Sequence, residues 1–446
     1  MTKLDEERPA SFCVSAPGKV IIYGEHAAVF GKPAIAAALS LRAYLQVTPN
    51  DDPNTITLDF PDIGLSQSWN RHDLPWEDIK GYIQRSSSDL KPLVTPELIP
   101  EITDLLSDAL DDIDNRMHYV LCHCFLYLYV HLCSHDTLGM HFTARSTLPI
   151  GAGLGSSAST AVCLAASMAY LGGHVERPVT GLNERVRSPH NKHHAIISPA
   201  DFIDEWSFVG EKCFHGNPSG IDNAVATHGG AVMFQRTVSS INPNVRTNMR
   251  NFPPIKLLLT NTKVPRSTAE LVGGVGKMNI EFPQVSQAIL DAIGHLSNEA
   301  YQLMIRPGFA EEELLILQKL VNINHGLLVS MGVSHPTLEQ IKVITDTNKI
   351  GATKLTGAGG GGCAITLIGS DVSEEKIQAT IKQFEVHGFE TFETSLGGKG
   401  VGLLHESDVS LETRDRVFSP EVFQSLGSRK EIENLAGVDQ QVWKFW

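Results

Sequence analysis

Apolar and polar positions along this chain switch between a two-residue and a helical period, so strands and helices are both expected. Phe12–Val29 opens as a strand and turns at Gly24. Ala34–Pro49 and Thr55–Phe60 add strands, with alternation in Tyr44-Leu45-Gln46-Val47. Residues 61–115 are polar and mixed, with helices expected near Trp76–Arg85 and Leu98–Ile113. Tyr119–Cys133 reads as a helix, Met140–Ser146 as a strand, and the small, apolar run to Tyr170 as a buried helix. Gly181–Ser198 is polar and basic and reads as a surface excursion with solvated histidines. Ala231–Gln235 is strand-like, and Arg236–Asn251 is a polar connector. A strand at Leu257–Thr262 precedes helices over Thr268–Gly276, Phe282–Met304 and Glu311–Met331. Lys354–Thr356, Cys363–Ile368 and Val401–Leu404 are expected to form strands of a second sheet, and the tail after Ser407 has no assigned structure. Its aromatic end, Trp443, Phe445 and Trp446, is expected to be a packed terminus.

Asp201–His215 shows what phase can and cannot decide. At about 100° per residue, Trp206, Val209 and Cys213 fall within about 40° of Phe202 and form an apolar stripe, while Glu211 falls about 180° away. Such a Glu either faces solvent or faces a neighbouring cleft, and phase alone does not choose.

Composition narrows the picture. A chain of 446 residues, 42% hydrophobic and 19% charged, has room for two or three domains with a sizeable core. The net charge of −14 argues against nucleic acid or an anionic membrane as the main partner. The first residues lack the basic-then-apolar order of a signal peptide, and no apolar run is long enough to span a bilayer. Seven scattered cysteines suggest reduced thiols and a cytoplasmic setting. Cys122, His123, Cys124, His131, Cys133 and His135 match no common zinc spacing, and their apolar neighbours favour a core helix.

The chemistry concentrates in four segments. Leu148–Ser159 (Leu-Pro-Ile-Gly-Ala-Gly-Leu-Gly-Ser-Ser-Ala-Ser) alternates glycines before a helix, an arrangement that aims unpaired N–H groups and the positive dipole end at an anion such as phosphate. Gly357–Gly362 formally satisfies a dinucleotide pattern, but strand-like residues follow it where a helix is required, so a Rossmann site is rejected. A strand–glycine loop–strand suits close packing against a ligand or a facing loop. Ala16–His26 places Lys19, Glu25 and His26 around an apolar strand, and His215-Gly216-Asn217-Pro218-Ser219-Gly220-Ile221-Asp222-Asn223 delivers Asp222 after a tight turn. Alone, each of the last two is unremarkable.

Together with Leu259–Thr268 and Lys354–Gly362, these segments resemble the GHMP small-molecule kinases over about Ser15 to Leu404. His215–Asn223 and Thr260-Asn261-Thr262-Lys263-Val264-Pro265-Arg266 are narrower and resemble the branch whose substrate is mevalonate. The resemblance implies an α+β, two-domain GHMP kinase fold with the active site in the interdomain cleft. The expected divisions are an N-terminal domain over 1–245, a C-terminal domain over 246–407 and a tail over 408–446. It further implies transfer of the ATP γ-phosphoryl group to the 5-hydroxyl of mevalonate, an early step towards isoprenoids and sterols. Gly151, Ala152, Gly153, Leu154, Gly155, Ser156 and Ser157 would wrap the ATP phosphates, with Asp62 and Ser146 also at the nucleotide. Asp62 stands where the resemblance leads one to expect Asn. Ser157 and Glu211 would hold Mg²⁺. Asp222 would be the catalytic base with Lys19 beside it. Lys19, Glu25, His26, Asp222, Thr268 and Ala358 would line the mevalonate pocket, although no partner for the substrate carboxylate is identified. A homodimer and feedback inhibition by isoprenyl diphosphates are also implied. The competing readings are a kinase of phosphomevalonate, homoserine or a sugar, and a non-catalytic ATP-binding sensor.

Overall fold

The computed structural model describes residues 9–88, 96–149, 151–179, 197–216, 218–237, 245–249, 252–437 and 442–446. The expected excursion at Gly181–Ser198 lies almost wholly outside these residues, as do Ile150 and Asn217.

Strand β1 (Phe12–Tyr23) pairs antiparallel with β2 (Pro33–Pro49) from Phe12 opposite Val47 to Tyr23 opposite Ile35. Both strands are apolar nearly throughout because both faces are covered. β3 (Thr55–Phe60) and β4 (Leu65–Asn70) form a hairpin, α1 covers Trp76–Ser88 and α2 covers Pro100–Leu105. β4 was not expected; its Leu-Ser-Gln-Ser-Trp-Asn sequence is an edge strand with little apolar content. α3 (Arg116–Leu132) is capped by Asn115, whose side chain accepts from the N–H groups of Met117 and His118. Cys122, His123 and Cys124 are buried in it, as in a core helix, while His131 and Cys133 are half-buried and His135, past its end, is exposed. β5 (Met140–Ser146) leads through the glycine loop into α4 (Ser156–Leu171), and α5 (Pro199–His215) and the short α6 (Ile221–His228) follow.

β6 (Ala231–Gln235) pairs with β7 (Val245–Met249), a strand inside the expected polar connector. β8 (Ile255–Asn261), α7 (Thr268–Glu281), α8 (Pro283–Met304) and α9 (Glu311–Ser330) lie close to expectation, with α7 longer by five residues at its C-terminus. α10 (Pro336–Asn348), β9 (Gly351–Leu355), β10 (Cys363–Ile368), α11 (Glu374–Val386) and β11 (Glu390–Leu396) complete this half. β12 (Gly402–His405) then returns to pair with β1, so the strand expected at Val401–Leu404 belongs to the first sheet and not the second. Long-range pairing set its place, and local pattern carries no such information.

The two sheets join through β2, which pairs with β5 and β6 in the first and meets β11 at Leu39 opposite Leu396. α3, α4 and α5 cover the first sheet around Phe125, Tyr129, Phe142 and Val162. α8 and α9 cover the second around Leu257, Leu303, Val321 and Ile365. Each such side chain contributes about 1.5–3 kcal/mol on burial. The tail is structured: α12 (Leu411–Val417), α13 (Pro420–Ser425), α14 (Arg429–Ala436) and β13 (Lys444–Phe445) pack Phe423, Ile432 and Trp443 on Cys13, Tyr44 and Leu404. Among the described residues no helix is long and apolar enough to cross a membrane, and the seven cysteines are unpaired.

Candidate active site

A cleft of about 1210 Å³ opens where the chemistry-bearing segments meet. Its wall includes Lys19, Glu25, His26, Asp62, Ser146, residues 151–157, Asp222, Arg236, Arg266, Thr268 and Ala358. Segments far apart in the chain therefore share one cavity.

The glycine loop descends from β5. Gly151, Gly153 and Gly155 all have positive φ (71°, 77° and 73°), a conformation other residues adopt only with strain. Gly155 caps α4, so the N–H groups of that helix's first turn face the cleft without a side-chain cap. Leu154 O accepts from the Lys19 N–H at 2.8 Å, which ties the loop to β1. A Cβ at Gly155 would stand 2.9 Å from the Lys19 Cγ, so glycine is also what lets the lysine pass.

Lys19 Nζ lies 3.2 Å from Asp222 Oδ1, with side chains 10% and 31% exposed. Asp222 is the second residue of α6, behind Gly220 in left-handed conformation. Ser157 Oγ shares a hydrogen bond of 3.0 Å with His215 Nε2.

Glu211, on α5, is only 3% exposed. Burial, then the nearby Asp222 carboxylate, pushes its carboxyl up to about 7, although a hydrogen bond with Ser157 and the charge of Lys19 work in the opposite direction. Its Oε1 has no protein partner. Glu211 therefore does not face bulk solvent: it is buried beside Ser157, Asp222 and Lys19, three residues that line the cleft. The apolar stripe is less deeply buried than expected, since Val209 is fully covered while Phe202, Trp206 and Cys213 are half-buried.

The remaining wall is more committed. His26 sits at φ 60° and its Nε2–H donates to Ala358 O at 2.8 Å, while Nδ1 is buried without a partner. Burial lowers its pKa. The Glu25 carboxylate pairs with Lys354, both side chains being fully buried, and accepts from Asn324 Nδ2 at 3.0 Å. Asp62 accepts from Arg145 Nε at 3.0 Å and from the Ser146 N–H at 2.8 Å, so both its oxygens are engaged. Ser146 Oγ accepts from the Leu148 N–H at 3.1 Å. Thr268 opens α7 beside its cap, Ser267.

Sequence reasoning passed over Arg266 and Arg236. Arg266 donates to Ala152 O at 3.0 Å and Gly361 O at 3.3 Å, bridging the two glycine loops. A Cβ at Gly153 or Gly362 would strike its guanidinium. The second glycine cluster thus packs against a facing loop, and the signal was a basic residue directly after Val264-Pro265 in a motif already singled out. Arg236, at the exit of β6, also lines the cleft.

The donors present suit Mg²⁺. This hard ion is held by one or two carboxylates while substrate phosphates and water complete its shell. Glu211 offers an unpartnered buried oxygen beside the Ser157 hydroxyl, and no group of three His, Cys, Asp or Glu side chains forms a complete cage among the described residues.

Comparison with known proteins agrees with the geometry. Residues 118–188 match the model described as GHMP kinases N terminal domain, and 305–387 match GHMP kinases C terminal. The chain is 60% identical to the mevalonate kinase of Candida albicans over 98% of this chain and 99% of that one. The chain belongs to the mevalonate kinase family of GHMP kinases. The family's Saccharomyces cerevisiae member is 42% identical over 95% of this chain and 96% of its own length. At the level of fold, the structure of L. major mevalonate kinase in complex with R-mevalonate aligns with TM-score 0.59 at 22% identity, covering 86% of this chain and 96% of that one. The Methanococcus jannaschii mevalonate kinase aligns with TM-score 0.59 at 23% identity, over 88% and 100%.

Proposed function

We propose that this kinase transfers the γ-phosphoryl group of ATP to the 5-hydroxyl of mevalonate. The observation that carries the substrate is the 60% identity to a mevalonate kinase across essentially the whole of both chains. The Lys19–Asp222 pair beside the glycine loop supports the chemistry.

Phosphoryl transfer depends on positioning and charge neutralisation more than on covalent participation by the protein. The 5-hydroxyl oxygen bonds to the γ-phosphorus as the bond to the β–γ bridging oxygen breaks and ADP departs. Asp222 takes the hydroxyl proton, and Lys19 stabilises both the ionised carboxylate and the developing alkoxide. The N–H groups of the glycine loop and the α4 N-terminus hold the phosphates, with Asp62 and Ser146 on the nucleotide side. Ser157 and Glu211 are the residues that hold Mg²⁺, which supplies neutralising charge at the phosphates. His26, Thr268 and Ala358 line the mevalonate side. Glu25 works there through the ion pair beneath the wall, and Arg236 is the cation we set against the substrate carboxylate. The apolar residues Ile63, Val120 and Leu121, which line the same cleft as the glycine loop, support competition by isoprenyl diphosphates, read as a rise in the KM for ATP with added farnesyl diphosphate. The homodimer is read by sedimentation.

The test is coupled ADP release with MgATP and mevalonate, phosphomevalonate, homoserine or galactose, with Asp222→Asn alongside. Turnover on mevalonate alone, reduced about 100-fold or more in the variant, is expected. Turnover on another alcohol overturns the substrate. ATP binding without turnover favours the sensor.

A further inference from the structure

The C-terminal segment has no part in the mechanism above, yet it is joined to the nucleotide wall by a chain of buried polar contacts. The centre is Arg145, the penultimate residue of β5, with a side chain 6% exposed. A buried guanidinium needs a full set of partners. Its Nε donates to Asp62 Oδ1 at 3.0 Å. Its Nη1 donates to Phe423 O at 2.8 Å and Gln424 O at 3.1 Å, and Nη2 donates to Leu426 O at 2.5 Å. Those carbonyls lie at the C-terminal end of α13, where unpaired acceptors and the helix dipole favour a cation.

From Asp62 the chain of contacts runs into the cleft. Its second oxygen accepts from the Ser146 N–H, and Ser146 Oγ accepts from the N–H of Leu148, the first residue of the glycine loop segment. Asp62 and Ser146 both line the cleft. Two further contacts hold the same segment to the same sheet. Gln424 Nε2 donates to Asp59 Oδ2 at 2.6 Å, an oxygen that also meets His141 Nε2 at 2.6 Å. Gln46 Nε2 donates to Val417 O at 2.6 Å. The strands gripped are β2, β3 and β5.

We propose that the segment from α12 to α14 is a strut that sets the nucleotide side of the cleft, with Arg145 as the positioning residue that transmits its constraint to Asp62, Ser146 and the glycine loop. This rests on the nucleotide reading of that loop, so the test measures nucleotide binding apart from turnover. Coupling between two sites is reciprocal: if the strut tightens nucleotide binding, bound nucleotide stabilises the strut by the same factor.

The experiment compares the full chain with its Arg145→Met and Arg145→Lys variants. Calorimetry gives the MgATP Kd, steady-state assays give each KM, and amide exchange follows residues 418–427 with and without MgATP. Arg145→Met should weaken MgATP about tenfold and leave the mevalonate KM unchanged. Arg145→Lys should recover part of the loss, because an ammonium reaches Asp62 but not the spread of carbonyls a guanidinium spans. In the unaltered chain MgATP should slow exchange at 418–427, and in Arg145→Met it should not. If Arg145→Met does not fold, Arg145→Lys, which keeps the charge, carries the test: it should bind MgATP less tightly than the unaltered chain, by less than about tenfold, with the mevalonate KM unchanged. An unchanged MgATP Kd in a folded variant, or exchange at 418–427 indifferent to MgATP in the unaltered chain, overturns the strut. No MgATP binding by the unaltered chain overturns the nucleotide reading itself, and the strut with it.

Discussion

Glu211 and Gly155 show how single positions divide the work of the site. A carboxyl held up to about 7 by burial is poorly served by the protein alone, and its unpartnered Oε1 is what a divalent cation would satisfy. Glu211→Gln should therefore raise the Mg²⁺ concentration for half-maximal turnover by about tenfold or more, read by Mg²⁺ titration at saturating substrates. An unmoved titration would remove Glu211 from the metal. Gly155 has a steric role. Its φ of 73° and the close Lys19 Cγ mean that Gly155→Ala strains the loop by about 1 kcal/mol or more and displaces the lysine. Its melting temperature and kcat should fall together. The glycine pattern was readable from the chain, because backbone freedom is a property of the residue itself. The lysine that occupies the space was not, because it arrives from another strand.

At the scale of elements, the placement of Asp222 depends on β7, a strand that local pattern did not reveal. Arg246 of β7 donates to Gly220 O at 3.1 Å and lies 3.3 Å from Asp204 Oδ2 on α5. Asn223 Nδ2 donates to Asp204 Oδ1 at 2.5 Å. Together these contacts clamp both sides of the residue pair that carries the base. Arg246→Met should lower kcat by roughly tenfold, since displacement of a reacting group by about 1 Å is expensive, while the KM for ATP stays put. Steady-state kinetics separate the two, and an equal rise in the ATP KM would show a general loosening instead. β7 reads as a polar connector because three of its four N-terminal residues are polar and exposed, and only pairing with β6 makes it a strand.

For the whole molecule, acid tolerance follows from buried imidazoles. Among the described residues, burial lowers the pKa of His26, His131, His174, His325 and His405. Each binds fewer protons folded than unfolded, so its contribution is present above the unfolded value of about 6.5 and is lost as pH falls further. His131 shows why: Nδ1–H donates to Tyr127 O at 2.7 Å, and its Nε2 is buried without a partner. Glu211 acts in the opposite sense in the metal-free protein, because its raised carboxyl favours the folded state at low pH and loses that contribution as pH rises through about 7. Glu205, also raised by burial, shares that sense, while the Cys213 thiol, lowered to about 6 by its hydrogen bond with Cys124, sides with the imidazoles. With six groups against two, the urea midpoint of the metal-free chain should be lower at pH 5.5 than at pH 7.5. A flat or inverted profile would contradict this balance.

The sequence by itself determined most elements of regular structure, the anion-binding glycine loop and the family resemblance, because periodicity, helix starts and glycine conformations are encoded over a few neighbouring residues. Tertiary structure alone decided which sheet received β12, that Glu211 is buried away from solvent, and that Arg266 and Arg145 fasten loops and tail to the cleft. Those outcomes depend on strand register and on contacts between residues far apart in the chain. A side chain's neighbours in space, unlike its helical phase, are set only when the whole sheet closes around it.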